Sequence, residues 1–381
     1  MIKILAYPAD DRGSGWYRII QPYSELVRKY PKEFNLALTF DEPTIPDYQE
    51  ADVFITHRVK VSQRESMLTS IVNAKANGCQ VIYDLDDYEL EIPSTWGMYW
   101  VYKWNDILKF VKASMVEADH LTVSTPSLIS AYERFNDQIS VFRNSISLDD
   151  PQWQLEKLES PYIRFGWAGG SSHYNDMVQL RGLSKALAEW NDRISMVICG
   201  YDTRGRTVVM QEDGTTKDEP LDPKNSDWDK MVEIFTEGCD QQTRVICGAL
   251  GIREYGAHFT RFDIGLVPMA EMKFNLYKSE LKVLELGMYK IPVIVSSVGI
   301  YSEVITHGET GFLVDPRKGF KHWLKYSKLL ASDEQLRVQM GEKLHKLVLD
   351  KYDIYKNVDE RAVLICKLLG READFLVAEK V

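Results

Sequence analysis

Two textures alternate along the 381 residues of the chain. One is a short run rich in β-branched residues and apolar at nearly every position, as in MIKILAY, DVFIT, QVIYDL, HLTV, YIRFGWA, ISMVICG, TRVICG, DIGLVPM and IPVIVSS. Such runs predict strands buried on both faces of a parallel sheet. The other texture spaces its apolar residues by three and four, which predicts helices over 21–30, 65–77, 280–290, 320–331, 333–349 and the segment DIYKNVDERAVLICKLL. Strand, helix, strand in regular succession is the signature of an α/β fold with doubly wound sheets. A polar crossing over 149–161 interrupts the succession, so two domains are predicted, 1–155 and 156–350, followed by a helical segment, 351–381. A polar stretch over 202–229, with an Asp-Gly pair inside TVVMQEDGTTKDE, predicts an inserted surface hairpin.

Composition changes this picture little: 45% hydrophobic and 27% charged residues belong to a soluble globular protein rather than a disordered one. No signal peptide or long apolar span is evident, since MIKILAY is followed at once by Pro8 and Asp10, and a cytoplasmic protein without a transmembrane segment is expected. The cysteines, Cys79, Cys199, Cys239, Cys247 and Cys366, are odd in number and lack a CxxC pair, which predicts reduced thiols rather than a disulfide framework or a zinc site. Formal charge is −10, and residues 1–150 hold 15 Lys plus Arg against 22 Asp plus Glu. Nucleic acid is therefore a disfavoured partner, because binding its backbone requires neutralising phosphates.

Candidate chemistry gathers just after the predicted strands. In FNLYKSELKVLELGMYK the helix has an apolar face of Leu281, Leu284 and Met288 and a second face stepping through Lys278, Lys282 and Glu285, with Ser279 able to cap it. A cationic residue at a helix start, beside a buried strand, suits a phosphorylated ligand. Gly169 and Gly170 follow the strand YIRFGWA, allow close backbone approach, and lead into a helix predicted through the leucines near 180, with His173 beside them. In the first half, Gly13, Ser14, Gly15 and Arg18 form a predicted glycine loop between strand and helix; it is not the dinucleotide fingerprint, which would need glycine at Arg18. One strand ends in His57 and Arg58, and another runs out through Asp84, Asp86 and Asp87. Those carboxylates fit a hard metal ion, an acceptor hydroxyl or a proton-transfer role. The stretch from Trp96 to Phe110, with Tyr99, Trp100, Tyr102 and Trp104, reads either as packed core or as a platform for a sugar ring, a lipid chain or a base.

The run KSELKVLELGMYKIPVIVSSVGIYSEVITHGETGFLV resembles the nucleotide-sugar half of GT-B fold glycosyltransferases, specifically the retaining branch grouped with glycosyltransferase family four, the group 1 glycosyl transferases. GSGWYRIIQP, the YDxDD strand end, the VxxN segment at Val141 to Asn144 and the GG loop are similar to the same subgroup. The resemblance implies two Rossmann-like doubly wound domains facing across a cleft, with the last helix packing back on the first domain. It implies a sugar moved from a nucleoside-diphosphate sugar, a UDP- or GDP-sugar, to an acceptor hydroxyl with retention at the anomeric carbon. No metal and no tightly bound cofactor are needed in this architecture. Glu285 corresponds to the glutamate that binds the donor ribose, and Lys278 to the lysine on the diphosphate. Gly169, Gly170, His173, Asn275 and Ser279 complete the donor side, Arg253 and Arg261 are candidate second cations, and Asp86, Asp87 and Arg58 are the candidates on the acceptor side. Many members carry a second glutamate eight positions earlier, where this chain has Tyr277, so the donor sugar stays open. The acceptor expected of such an enzyme is a saccharide, a lipid-linked saccharide or another hydroxyl compound. Alternative readings are transfer to hydroxymethylated bases of viral DNA, a nucleotide-sugar epimerase, and a non-catalytic sugar-nucleotide module.

Overall fold

The structure, a computed structural model, describes residues 1–59, 64–202, 206–210, 216–220 and 226–378. The chain forms two compact units. The first comprises Met1–Leu148, Tyr277–Ser279 and Tyr352–Val381, and the second Asp149–Leu276 and Glu280–Lys351.

The first unit is built on strands β1 (Ile2–Tyr7), β2 (Phe34–Leu38), β3 (Val53–His57), β4 (Gln80–Leu85), β5 (His120–Val123) and β6 (Ile139–Val141), all parallel, in the order β2-β1-β3-β4-β5-β6. Every residue of β3 is buried, as a strand covered on both faces requires. Strand order reverses at β1, so the carboxyl ends of β1 and β3 flank the place where a doubly wound sheet admits ligands. The helix Ile354–Leu368 closes the core: Ile354, Val358, Ala362 and Ile365 form a stripe of helical period that packs with Ile2, Ile4, Ile19 and Tyr23. Its entry is pinned by reciprocal backbone bonds, Ile146 N to Tyr352 O at 2.8 Å and Ile354 N to Ile146 O at 3.0 Å.

Strands β7 (Ile163–Ala168), β8 (Ile194–Tyr201), β11 (Arg244–Gly248), β12 (Ile264–Val267), β13 (Val293–Ser296) and β14 (Gly311–Val314) make the second sheet, again wholly parallel, in the order β11-β8-β7-β12-β13-β14. Its reversal lies at β7 and β12, directly before the Gly169 loop and the 269–280 segment. The remaining strands, β9 (Arg206–Met210) and β10 (Thr216–Pro220), pair antiparallel as the predicted hairpin, while its Asp-Gly turn lies outside the described residues.

Three local expectations are corrected. Residues 13–20 are not an open glycine loop. Helical backbone runs through Gly13–Gly15 and the π-helical Trp16–Ile20 into Gln21–Lys29, because the Asp10 carboxylate accepts from Arg12 N at 3.0 Å and Gly15 N at 3.1 Å and so satisfies the first amides. Gly15 is required there, since a Cβ would lie 1.7 Å from Asp10 O. The single helix predicted after Gly170 is broken into short turns, Ser171–His173, Tyr174–Met177 and Val178–Leu180, with Gly182 at φ 80° before Leu183–Trp190. The predicted 280–290 helix spans Leu281–Met288, and Ser279 does not cap it.

Candidate functional site

Two clusters of polar side chains sit at the strand ends that the topology singles out, one in each unit.

In the second unit the chain leaves β7 at Gly169, where a Cβ would fall 2.6 Å from Lys282 Nζ and 2.8 Å from the Trp167 ring. Glycine is thus the residue that lets Lys282 cross the loop and donate to Ala168 O at 2.6 Å, its ammonium 5.0 Å from the centre of Trp167. Below the loop, Asp176 is 2% exposed and acts as a hub. Its Oδ2 lies 2.7 Å from His173 Nδ1, and its Oδ1 accepts from Ala270 N at 2.7 Å and Asn275 Nδ2 at 2.8 Å. One buried carboxylate therefore fixes the histidine of the glycine loop, the exit of β12 and the turn Lys273–Tyr277. Glu285, on Leu281–Met288, is 4% exposed. Half-buried Tyr255 and buried Tyr301 hold their phenolic protons above the ordinary range, desolvation being the main cause, and the charge of Glu285 adds to it in both.

In the first unit, Arg58 follows β3 in left-handed backbone, φ 34°, an unusual conformation for a residue with a side chain. Its Nη1 donates to Ser14 Oγ at 3.2 Å and its Nε lies 3.9 Å from Glu89 Oε1. Burial opposes the Arg58 cation, but Glu89 and Asp86 outweigh it and hold the proton on. Asp86 stays ionised below the usual carboxylate range: burial pushes it up, and the Arg58 cation, the Ser14 hydroxyl and the Arg18 cation more than offset that. Burial raises Asp87, with Lys278 opposing, and pushes Glu89 up to about 7, where Tyr102 Oη donates to it at 3.1 Å. Buried His57 is kept neutral by desolvation and accepts from Ala9 N at 3.2 Å through Nδ1, which puts its proton on Nε2. Among the described residues neither His57 Nε2 nor Asp86 Oδ1 has a hydrogen-bond partner.

The strip Tyr277–Ser279, placed by sequence in the second domain, packs with the first unit. Tyr277 stacks on Tyr88 at 4.4 Å and accepts at its carbonyl from Thr125 Oγ1 at 3.1 Å. Lys278 Nζ lies 5.5 Å above Trp96, and Ser279 Oγ accepts from Asn144 Nδ2 at 2.9 Å. Lys278 and Glu285 are therefore not two steps along one helix face: the lysine precedes the helix and the glutamate lies on its buried side.

Other predicted residues fall as follows. His173 and Asn275 share the hub around Asp176, Gly170 O accepts from His173 N at 3.2 Å, Gly169 lies against Lys282, and Asp86, Asp87, Arg58 and Ser14 share the first cluster. Arg18 does not line an open loop; it is fully buried and makes a bidentate pair with Asp84 at 2.8 and 2.7 Å. Arg253 and Arg261 are exposed, and the cation at the Gly169 loop is Lys282. The aromatic stretch divides: Tyr102 is buried against Glu89, whereas Trp100 and Trp104 are 44% and 36% exposed with ring centres 5.6 Å apart. Asp176, Glu89 and Asp10 were not singled out from sequence, although Asp176 stands at helical spacing from His173 in HYND. Among the described residues no group of three or more His, Cys, Asp or Glu is placed to hold a metal ion, and no helix is long and apolar enough to cross a membrane. All five cysteines are free thiols.

Residues 281–346 match the family model described as "Glycosyl transferases group 1". No curated protein matches the chain. Among solved structures, the fold is similar to that of a glycosyltransferase from Rickettsia africae ESF-5, at TM-score 0.65 and 12% identity, covering 97% of this chain and 99% of that one. It is also similar to Anabaena Alr3699/HepE in complex with UDP and glucose, at 0.62 and 11%, covering 96% and 100%, and to sucrose-phosphate synthase (tll1590) from Thermosynechococcus elongatus, at 0.62 and 14%, covering 97% and 100%. The fold is the GT-B fold, two Rossmann-like α/β domains in one chain.

Proposed function

We propose that the chain is a retaining glycosyltransferase that moves a sugar from a nucleoside-diphosphate sugar to an acceptor hydroxyl. The observation that carries this reading is the matched segment beginning at Leu281: it holds a buried carboxylate, Glu285, on a short helix beside β12, and Lys278 precedes it by seven positions. On this reading Glu285 binds the two ribose hydroxyls, which a carboxylate accepts in pairs. Lys278 and Ser279 meet the diphosphate, while Gly169, Gly170, His173 and Asn275 border it. UDP is the first nucleotide to test, because the Anabaena protein is seen with UDP and with UDP-glucose; a GDP-sugar is the second.

Retention requires the acceptor oxygen to attack on the face from which the diphosphate departs, and the leaving oxygen can itself take the acceptor proton. The protein's task is then to position both partners and to stabilise negative charge on the leaving group. Ionised Asp86 is suited to accept from an acceptor hydroxyl, with the charge of Arg58 keeping it ionised and Asp87 beside it. The acidic groups gathered at Arg58 suit a polyhydroxyl acceptor better than a polyanion, which favours a saccharide or lipid-linked saccharide over DNA. A thermal-shift series with UDP, GDP and ADP tests the donor side: ligand at 100 times its Kd should stabilise the fold by about 2.7 kcal/mol. Indifference to all three at millimolar concentration would end the proposal.

A further inference from the structure

A directional hydrogen-bond chain runs from the centre of the first sheet to the donor strip. Asp84, at the end of β4, accepts from Thr122 Oγ1 at 2.6 Å and takes both Nε and Nη2 of Arg18. Arg18 Nη1 donates to Phe142 O and, at 3.1 Å, to Asn144 Oδ1. Asn144 Nδ2 donates to Ser279 Oγ. A guanidinium has only donors, so the amide oxygen of Asn144 must face Arg18 and its nitrogen must face Ser279. Both Arg18 and Asn144 are buried, so neither exchanges these partners readily for water. The serine oxygen is thereby committed as acceptor, and its own O–H is left to point onward as a donor, next in sequence to Lys278.

Resting on the donor reading above, we propose that Asn144 is a positioning residue that sets the direction of the Ser279 hydroxyl, so that Ser279 presents an O–H donor to a diphosphate oxygen beside the Lys278 ammonium. The buried Arg18–Asp84 pair is the fixed end of this chain. A charged pair of that kind contributes little net stability, but it enforces one orientation on whatever it touches. Lys278 and the Ser279 hydroxyl then offer an ammonium and a neutral donor from adjacent residues, a combination that recognises a phosphate oxygen and that uridine alone does not use.

The decisive variant is Asn144→Asp. It keeps the shape and the bond from Arg18, but replaces the amide donor by a second acceptor, which turns the Ser279 proton back toward residue 144. UDP affinity is measured by calorimetry for wild type, N144D, S279A and the double variant, with uridine as the phosphate-free control. The expected result is UDP binding about tenfold weaker, 1.4 kcal/mol, in each single variant. Uridine binding stays unchanged, and the double variant binds no more weakly than N144D. Ser279→Thr, which keeps a hydroxyl, should restore binding to near wild type. If the two single effects multiply in the double variant, or if N144D binds UDP as tightly as wild type, the chain is merely structural and the proposal fails. S279A alone keeps the test sharp should N144D not fold, since loss of the hydroxyl must weaken UDP and spare uridine. A wild type that binds neither UDP nor GDP defeats the donor reading itself; a wild type that binds UDP with S279A unchanged defeats only this inference.

Discussion

The two strand-end clusters occupy equivalent places in two parallel sheets, yet they handle charge in opposite ways. In the second unit Asp176 makes short hydrogen bonds to groups that must be held still, and Lys282 donates to a backbone carbonyl. In the first unit Asp86, Asp87, Glu89 and Arg58 crowd together with protonation pulled in different directions: Asp86 down, Asp87 up, Glu89 up to about 7. The first arrangement suits binding of a ligand whose charge is constant, and the second suits hydroxyls, which change partners as they react. One topology thus supplies the location in both units, and the side chains decide the chemistry.

The sharpest way to break this contrast is to remove the hub of the rigid cluster. Asp176→Ala strands the Ala270 amide, Asn275 and His173, and should lower stability by about 3 kcal/mol in urea denaturation, with Asp176→Asn less severe. If D176A unfolds at the wild-type midpoint, the second cluster is not preorganised as described. Glu285→Ala should weaken UDP by about 100-fold in calorimetry, the loss of charge-assisted bonds to two hydroxyls. By contrast, Asp86→Asn should leave UDP affinity within about twofold while reducing acceptor-dependent turnover about 100-fold, in line with loss of one group that orients the acceptor hydroxyl. Equal effects of E285A and D86N on UDP binding would erase the distinction between the clusters.

Per pH unit, the smallest effect expected is a slope of stability with pH. Glu89 keeps its proton in the fold up to about pH 7, whereas an unfolded chain releases it near the ordinary glutamate value of 4.5. Between those values the folded state binds the proton more tightly. The contribution of Glu89 is thus full below pH 4.5, shrinks as pH rises, at most about 1.4 kcal/mol per unit, and is gone above 7. Glu89→Gln should flatten that slope in denaturation midpoints measured from pH 5 to 8; an unchanged slope would show that another group carries it.

Much of the fold was legible because buried parallel strands leave an unbroken apolar record: VFITH and IPVIVS could hardly be anything else. The segment 281–346 that matches the family model was legible for the same reason, being local in sequence. Other features were hidden because they depend on partners far along the chain. Nothing around Arg18 announces that Asp84, 66 positions later, will bury it, and the Asp10 cap that turns GSG into a helix start reads in sequence as one more acidic loop residue. The strip Tyr277–Ser279 was assigned by chain order to the unit it precedes, whereas ring stacking on Tyr88 and the bonds from Thr125 and Asn144 assign it by contact. The burial of Glu285 was not legible, because helical spacing gives a direction but not a depth.

The helix Ile354–Leu368 has a consequence for how the protein is made. Its apolar stripe completes a core whose other half begins at Ile2, so a nascent chain holding only the first 148 residues carries an open hydrophobic face. The second unit, continuous but for three residues, is free to fold while that face waits. The domain synthesised first is therefore the last to close, and during translation it is the part most in need of a chaperone.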